Sequence, residues 1–75
     1  MRRKDQTALT KAIGKRLSDL REKKKMSQEE FSKLAGISRG YLSDLERGAR
    51  EMSIETLEHV CRKTGTTPNK LLGFS

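Results

Sequence analysis

The stretch SRGYLSDLER, Ser38 to Arg47, places two serine hydroxyls, two guanidinium groups and two carboxylates around apolar residues spaced for one helical face. With Leu42 and Leu45 turned inward, a step of about 100° per residue leaves Gly40, Ser43, Asp44 and Arg47 facing out, and Arg39 on the flank near the helix start. The chemistry open to this set is recognition. A guanidinium can donate twice to O6 and N7 of guanine, worth about 1–3 kcal/mol of discrimination, which makes Arg39 the first candidate for direct base readout. Ser38 and Ser43 are expected on bases or phosphates. Asp44 either accepts from a cytosine amino group or repels wrong registers. Gly40 has two readings: it lets the backbone close on bases or phosphates and leaves room for Arg39, or it is a glycine that the first helical turn tolerates at little cost.

The balance of the chain suits such a partner. Its 75 residues hold 17 Lys and Arg against 10 Asp and Glu, a formal charge of +7, which points to a polyanion. No apolar run approaches the roughly 20 residues of a spanning helix, and the basic start MRRK is followed by polar DQT rather than the apolar stretch of a signal peptide. A cytoplasmic location is expected. Catalysis is not: His59, the only histidine, and Cys61, the only cysteine, stand two apart on one helix and so face away from each other. The sequence shows no metal-ligand cluster and no phosphate-cradling glycine loop, so no metal, cofactor or small-molecule ligand is expected. Cys61 reads as a small buried hydrophobe.

The elements that must carry this surface are legible from their caps. At 75 residues, 32% hydrophobic and 36% charged, the chain is one domain near the lower size limit for a core without staples. An all-α bundle of five helices is expected. In the first helix Leu9, Ile13, Leu17 and Leu20 form one buried face, with Gly14 admitting a neighbouring backbone. Residues 1–6 read as a basic, flexible arm. Lys23 to Lys25 complement a helix C-terminus or contact phosphates, and both can hold. SQEE announces a capping box from Ser27 to Glu30, with Met26 and Phe31 as its hydrophobic staple. Phe31, Leu34 and Ala35 then face inward until Gly36 stops the helix.

Ser38 caps the third helix and Gly48 ends it. Ser53 caps a fourth, with Ile54, Leu57, Val60 and Cys61 at helical spacing as far as Gly65, and Thr67-Pro68 opens a short fifth. Leu71, Leu72 and Phe74 crowd that last turn. They form either a homodimer seam or a patch that packs back onto the first helix.

Two short helices joined by GIS have the spacing of a helix-turn-helix, residues 27–47. The segment SQEEFSKLAGISRGYLSDLERG resembles the Xre-type helix-turn-helix of the Cro and phage-repressor family. The preceding IGKRLSDLREKKK and the following SIETL extend the likeness from about Ile13 to Leu72. The resemblance implies a lambda-repressor-like fold, with helix 38–46 in the major groove. It implies an ion pair beneath the motif between Arg21 and Glu46, and a phosphate contact from Gln28 at the start of the second helix, with Tyr41, Arg47 and Arg50 as companions. Met52 stands where many members of the family carry proline. In size the chain is similar to the small stand-alone members, compact repressors or controller-type regulators, and a DNA-binding fragment of a larger repressor would read the same.

These readings together imply sequence-specific binding of double-stranded DNA by a homodimer on a palindromic operator, in a transcriptional regulator of repressor type. The alternative from another class is a protein-binding module, such as an antitoxin or adaptor, on the same fold. RNA is disfavoured by the lack of exposed stacking aromatics.

Overall fold

A computed structural model describes residues 3–73, with side chains from Ala8 onward. Five helices follow one another: α1 (Arg3–Lys23), α2 (Gln28–Ala35), α3 (Arg39–Glu46), α4 (Ile54–Thr64) and α5 (Pro68–Leu72). The caps do what their chemistry allows. Ser27 Oγ accepts from the Glu30 N–H at 3.1 Å while the Glu30 carboxylate accepts from the Ser27 N–H at 2.9 Å. Ser38, Ser53 and Thr67 each accept from the backbone N–H three residues on. Gly36 stops α2 in the left-handed region at φ 77°, where its N–H and that of Ile37 both reach the Ser32 carbonyl. Between α1 and α2 the same backbone region is taken by a lysine, Lys25, at φ 59°.

The helices close around Leu17, Phe31, Leu42, Leu45, Leu57 and Val60. α1 packs on α3 and α5, and α2 packs on α3 and α4. Gly14 sets how closely α1 and α3 approach: a Cβ built there would stand 2.1 Å from the Leu45 carbonyl oxygen, so only glycine fits.

Several expectations need correction. α1 begins at Arg3, so residues 3–6 are helical rather than an arm; no glycine or proline interrupts the chain before Gly14. Met1 and Arg2 lie outside the described residues. Leu34 is exposed, because α3 and α4 cover the arc from Phe31 through Ala35 to Ser32 and Leu34 falls on the other side of Phe31. Ser32 is buried in its stead, its hydroxyl donating to the Glu29 carbonyl at 2.9 Å.

Leu9 is 53% exposed and Ile54 76%, each one turn short of the part of its helix that neighbours cover. Leu71, only 2% exposed, and the half-buried Leu72 pack into their own chain's core and do not form a free seam. The fifth helix folds back on α1 because its one strongly apolar side finds Leu20 there. Phe74, the third residue expected at a seam, lies outside the described residues.

Candidate nucleic-acid interface

α3 is held at both ends and along its inner face. Ser38 Oγ accepts from the Tyr41 N–H at 3.1 Å, Leu42 and Leu45 are buried, and the last turn rests on Gly14. Beyond that turn Gly48, at φ 74°, comes against α1 at Lys11; a Cβ there would stand 2.6 Å from the Lys11 Cγ. Two glycines thus bring the end of α3 onto the α1 backbone.

Glu46 anchors the same turn. Arg21 Nε donates to its Oε2 at 2.7 Å and Arg21 Nη2 to its Oε1 at 3.2 Å. The third guanidinium nitrogen, Nη1, donates to the Met26 carbonyl at 2.9 Å, just ahead of α2. The Glu46 side chain is 7% exposed, and the hydrogen bond and charge of that carboxylate hold the Arg21 guanidinium above its already high range despite partial burial. The guanidinium therefore ties the end of α1, the entry to α2 and the end of α3 together. Gln28 joins this knot: its amide donates to Glu46 Oε1 at 3.0 Å, so one of its two N–H groups is already engaged within the protein.

The outer side of α3 is open. Arg39 is exposed and has no ion-pair partner among the described residues. A Cβ on Gly40 would meet nothing within 4 Å, so intramolecular packing supplies no reason for the missing side chain. Ser43 is half-buried, and Ser38 is committed to capping through one lone pair while remaining exposed. Asp44 and Arg47 pair with each other across one turn, so the carboxylate expected to face bases carries its own countercharge. Arg50 lies over the Tyr41 ring, 5.0 Å from its centroid, a cation–π contact that fixes a guanidinium at the margin of the same face.

Sequence reasoning missed this stacking, since the partners stand nine positions apart across an irregular turn and no periodicity joins them. It also missed the Arg21 bond to the Met26 carbonyl and the engagement of Gln28. A further contact without a sequence signal is His59, whose Nε2 lies 2.8 Å from where a Cβ of Gly36 would stand, so α4 closes on the turn between α2 and α3. Cys61 is buried in the core, and burial pushes its thiol up, away from the reactive thiolate. Among the described residues no group of three His, Cys, Asp or Glu side chains is placed to hold a metal ion, and no helix is long and apolar enough to cross a membrane.

Comparison with known proteins agrees with this geometry. The profile of the helix-turn-helix family HTH_3 matches residues 17–71. The control protein C.BamHI of Bacillus amyloliquefaciens is 35% identical over 64 residues, 84% of this chain and 79% of that protein. The immunity repressor protein of Bacillus phage phi105 is 33% identical over 61 residues, 81% of this chain but 42% of the repressor's own length. The crystal structure of the restriction-modification controller protein C.AhdI from Aeromonas hydrophila superposes with a TM-score of 0.78 at 33% identity, covering 85% of this chain and 97% of that one.

Proposed function

The chain belongs to the helix-turn-helix family of DNA-binding transcription regulators, which are not enzymes, and on that premise we propose that it reads a specific duplex sequence as a homodimer on a palindromic operator. α3 lies in the major groove. Arg39 reads a base edge, with Ser38, Gly40, Ser43 and Asp44 along the groove. Tyr41, Arg47 and Arg50 meet phosphates, and the start of α2 adds its free backbone N–H groups and the remaining amide N–H of Gln28. The protein acts in the cytoplasm as a repressor of the genes beside its operator.

The observation that carries this reading is the contrast between the two sides of α3. Its inner side is gripped by Gly14, Arg21 and Gln28, while its outer side offers an unpaired guanidinium beside a glycine with open space around it. A helix built only for packing would have no use for that outer side. Selection of bound sequences from a random duplex pool is the test. An enriched inverted repeat with half-sites about one helical turn apart supports the reading. A pool that stays random through repeated rounds, with folded protein, overturns it.

A further inference from the structure

The positive charge of the chain is not confined to the outer side of α3. α1 meets the end of α3 through Lys11 at Gly48, Gly14 at the Leu45 carbonyl and Arg21 at Glu46. At about 100° per residue, Arg16, Asp19, Leu20 and Lys23 stand nearly half a turn round the helix from that contact. There they form, with Thr66, Lys70 and Leu71, an open cleft of about 260 Å³ between α1 and α5. Leu20 and the buried Leu71 make its apolar floor, and cations make its rim. Asp19, the one acidic residue lining it, pairs with Lys15 at 3.1 Å. Arg16, Lys23 and Lys70 are exposed and have no ion-pair partner among the described residues.

We propose that this cleft binds a small organic phosphate with two linked phosphoryl groups, such as a nucleoside diphosphate. Helix ends account for only part of its charge. Lys23 and Lys70 stand in the last turns of α1 and α5, and Arg16 reaches the stop of α5, its Nη2 2.8 Å from where a Cβ of Gly73 would stand. The two helix C-termini supply about half a negative charge each against three full positive ones, a surplus of about two. That surplus calls for more than a single carboxylate. A phosphoryl group accepts from several directions at once, as a guanidinium fork, two ammonium groups and the Thr66 hydroxyl require. Arg16 and Lys23 stand seven residues apart, about 10 Å along the helix, a span for two linked groups rather than one. The volume, below the about 300–1,000 Å³ of drug-sized pockets, suits the phosphoryl end of a ligand whose remainder lies along Leu20 and Leu71. α1 and α3 stand between this cleft and the outer side of α3, so phosphates of a duplex read by α3 do not reach it. The site therefore does not rest on the DNA reading above.

The test is isothermal titration calorimetry of the full chain with pyrophosphate and with ADP, in about 100 mM salt. Inorganic phosphate stands for a single group, and Arg16→Gln and Lys70→Gln change the cleft. Both residues are exposed, and circular dichroism checks that the variants are folded. The control, Lys33→Gln, removes the same charge from α2, which packs on α3 and α4 and not on the cleft. Pyrophosphate and ADP are expected to bind saturably in the submillimolar range, and inorganic phosphate at least about tenfold more weakly. Each cleft variant is expected to lose at least about tenfold in affinity, and the control less than about twofold. Absence of saturable binding by either diphosphate overturns the site. So does a control that loses as much as the cleft variants, or a short polyglutamate peptide bound as tightly as ADP. Duplex added in excess is expected to leave pyrophosphate bound, and its displacement overturns a small-molecule site in favour of DNA phosphate. A protein that takes pyrophosphate but reads no duplex keeps the cleft and loses only the function proposed above.

Discussion

Glu46 receives three donors on two oxygens, from Arg21 twice and from Gln28 once, in a site almost closed to water. Such a pair adds little over apolar packing, but removing one member leaves the other charge desolvated without a partner. Glu46→Ala is therefore expected to cost about 3 kcal/mol, a large share of the few kcal/mol available to a chain this size, and a urea melt reads it directly. Glu46→Gln, which keeps an acceptor for one guanidinium donor, is expected to lose less. The opposite signature belongs to Arg39, which is exposed and makes no ion pair among the described residues. Its replacement by alanine should leave the melt unchanged and relax preference at one or two base pairs, measured on cognate against mutated duplexes. Equal loss on cognate and random DNA would reassign it to a phosphate.

At the level of elements, the junction of α1 and α3 has the least room. Gly14→Ala puts a methyl group against the Leu45 carbonyl and can be accommodated only by moving α3 outward. Overpacking of this kind costs about 1–3 kcal/mol. Because the displaced element is the reader, specific DNA affinity is expected to fall together with the melting temperature, whereas Leu34→Ala on the exposed side of α2 should change neither appreciably. The order and limits of the helices were legible because their signals are local: Ser27 with Glu30, Gly36, Ser38, Ser53 and Thr67-Pro68 act within a turn of themselves. Gly14 was legible too, as a glycine inside an apolar face. The extent of burial was not. Periodicity tells which side of a helix is apolar but not how far along it a neighbour reaches, which is why Leu9 and Ile54 were expected inside and Leu71 stood open between a seam and the first helix. Networks such as Arg21, Met26 and Gln28 around Glu46, or Arg50 on Tyr41, join residues that only the tertiary arrangement brings together.

For the molecule as a whole, charge dominates. A surplus of seven positive charges, with Arg39, Arg47 and Arg50 exposed along α3 and just after it, makes release of counterions from DNA the main sequence-independent part of binding. Affinity for the operator is expected to fall by on the order of 1000-fold between about 50 and 200 mM salt, as measured by gel shift at several concentrations. A shallow dependence would remove Arg47 and Arg50 from the phosphates.

The clasp on Glu46 bears on how an encounter proceeds. A reader helix already locked to its scaffold has no folding left to do on arrival, so the entropy lost on docking falls on a few mobile side chains and on whatever bending the duplex undergoes. Recognition by such a rigid stamp should show a small heat-capacity change for the protein's own part, and its selectivity should reside in how quickly a mismatched site lets go.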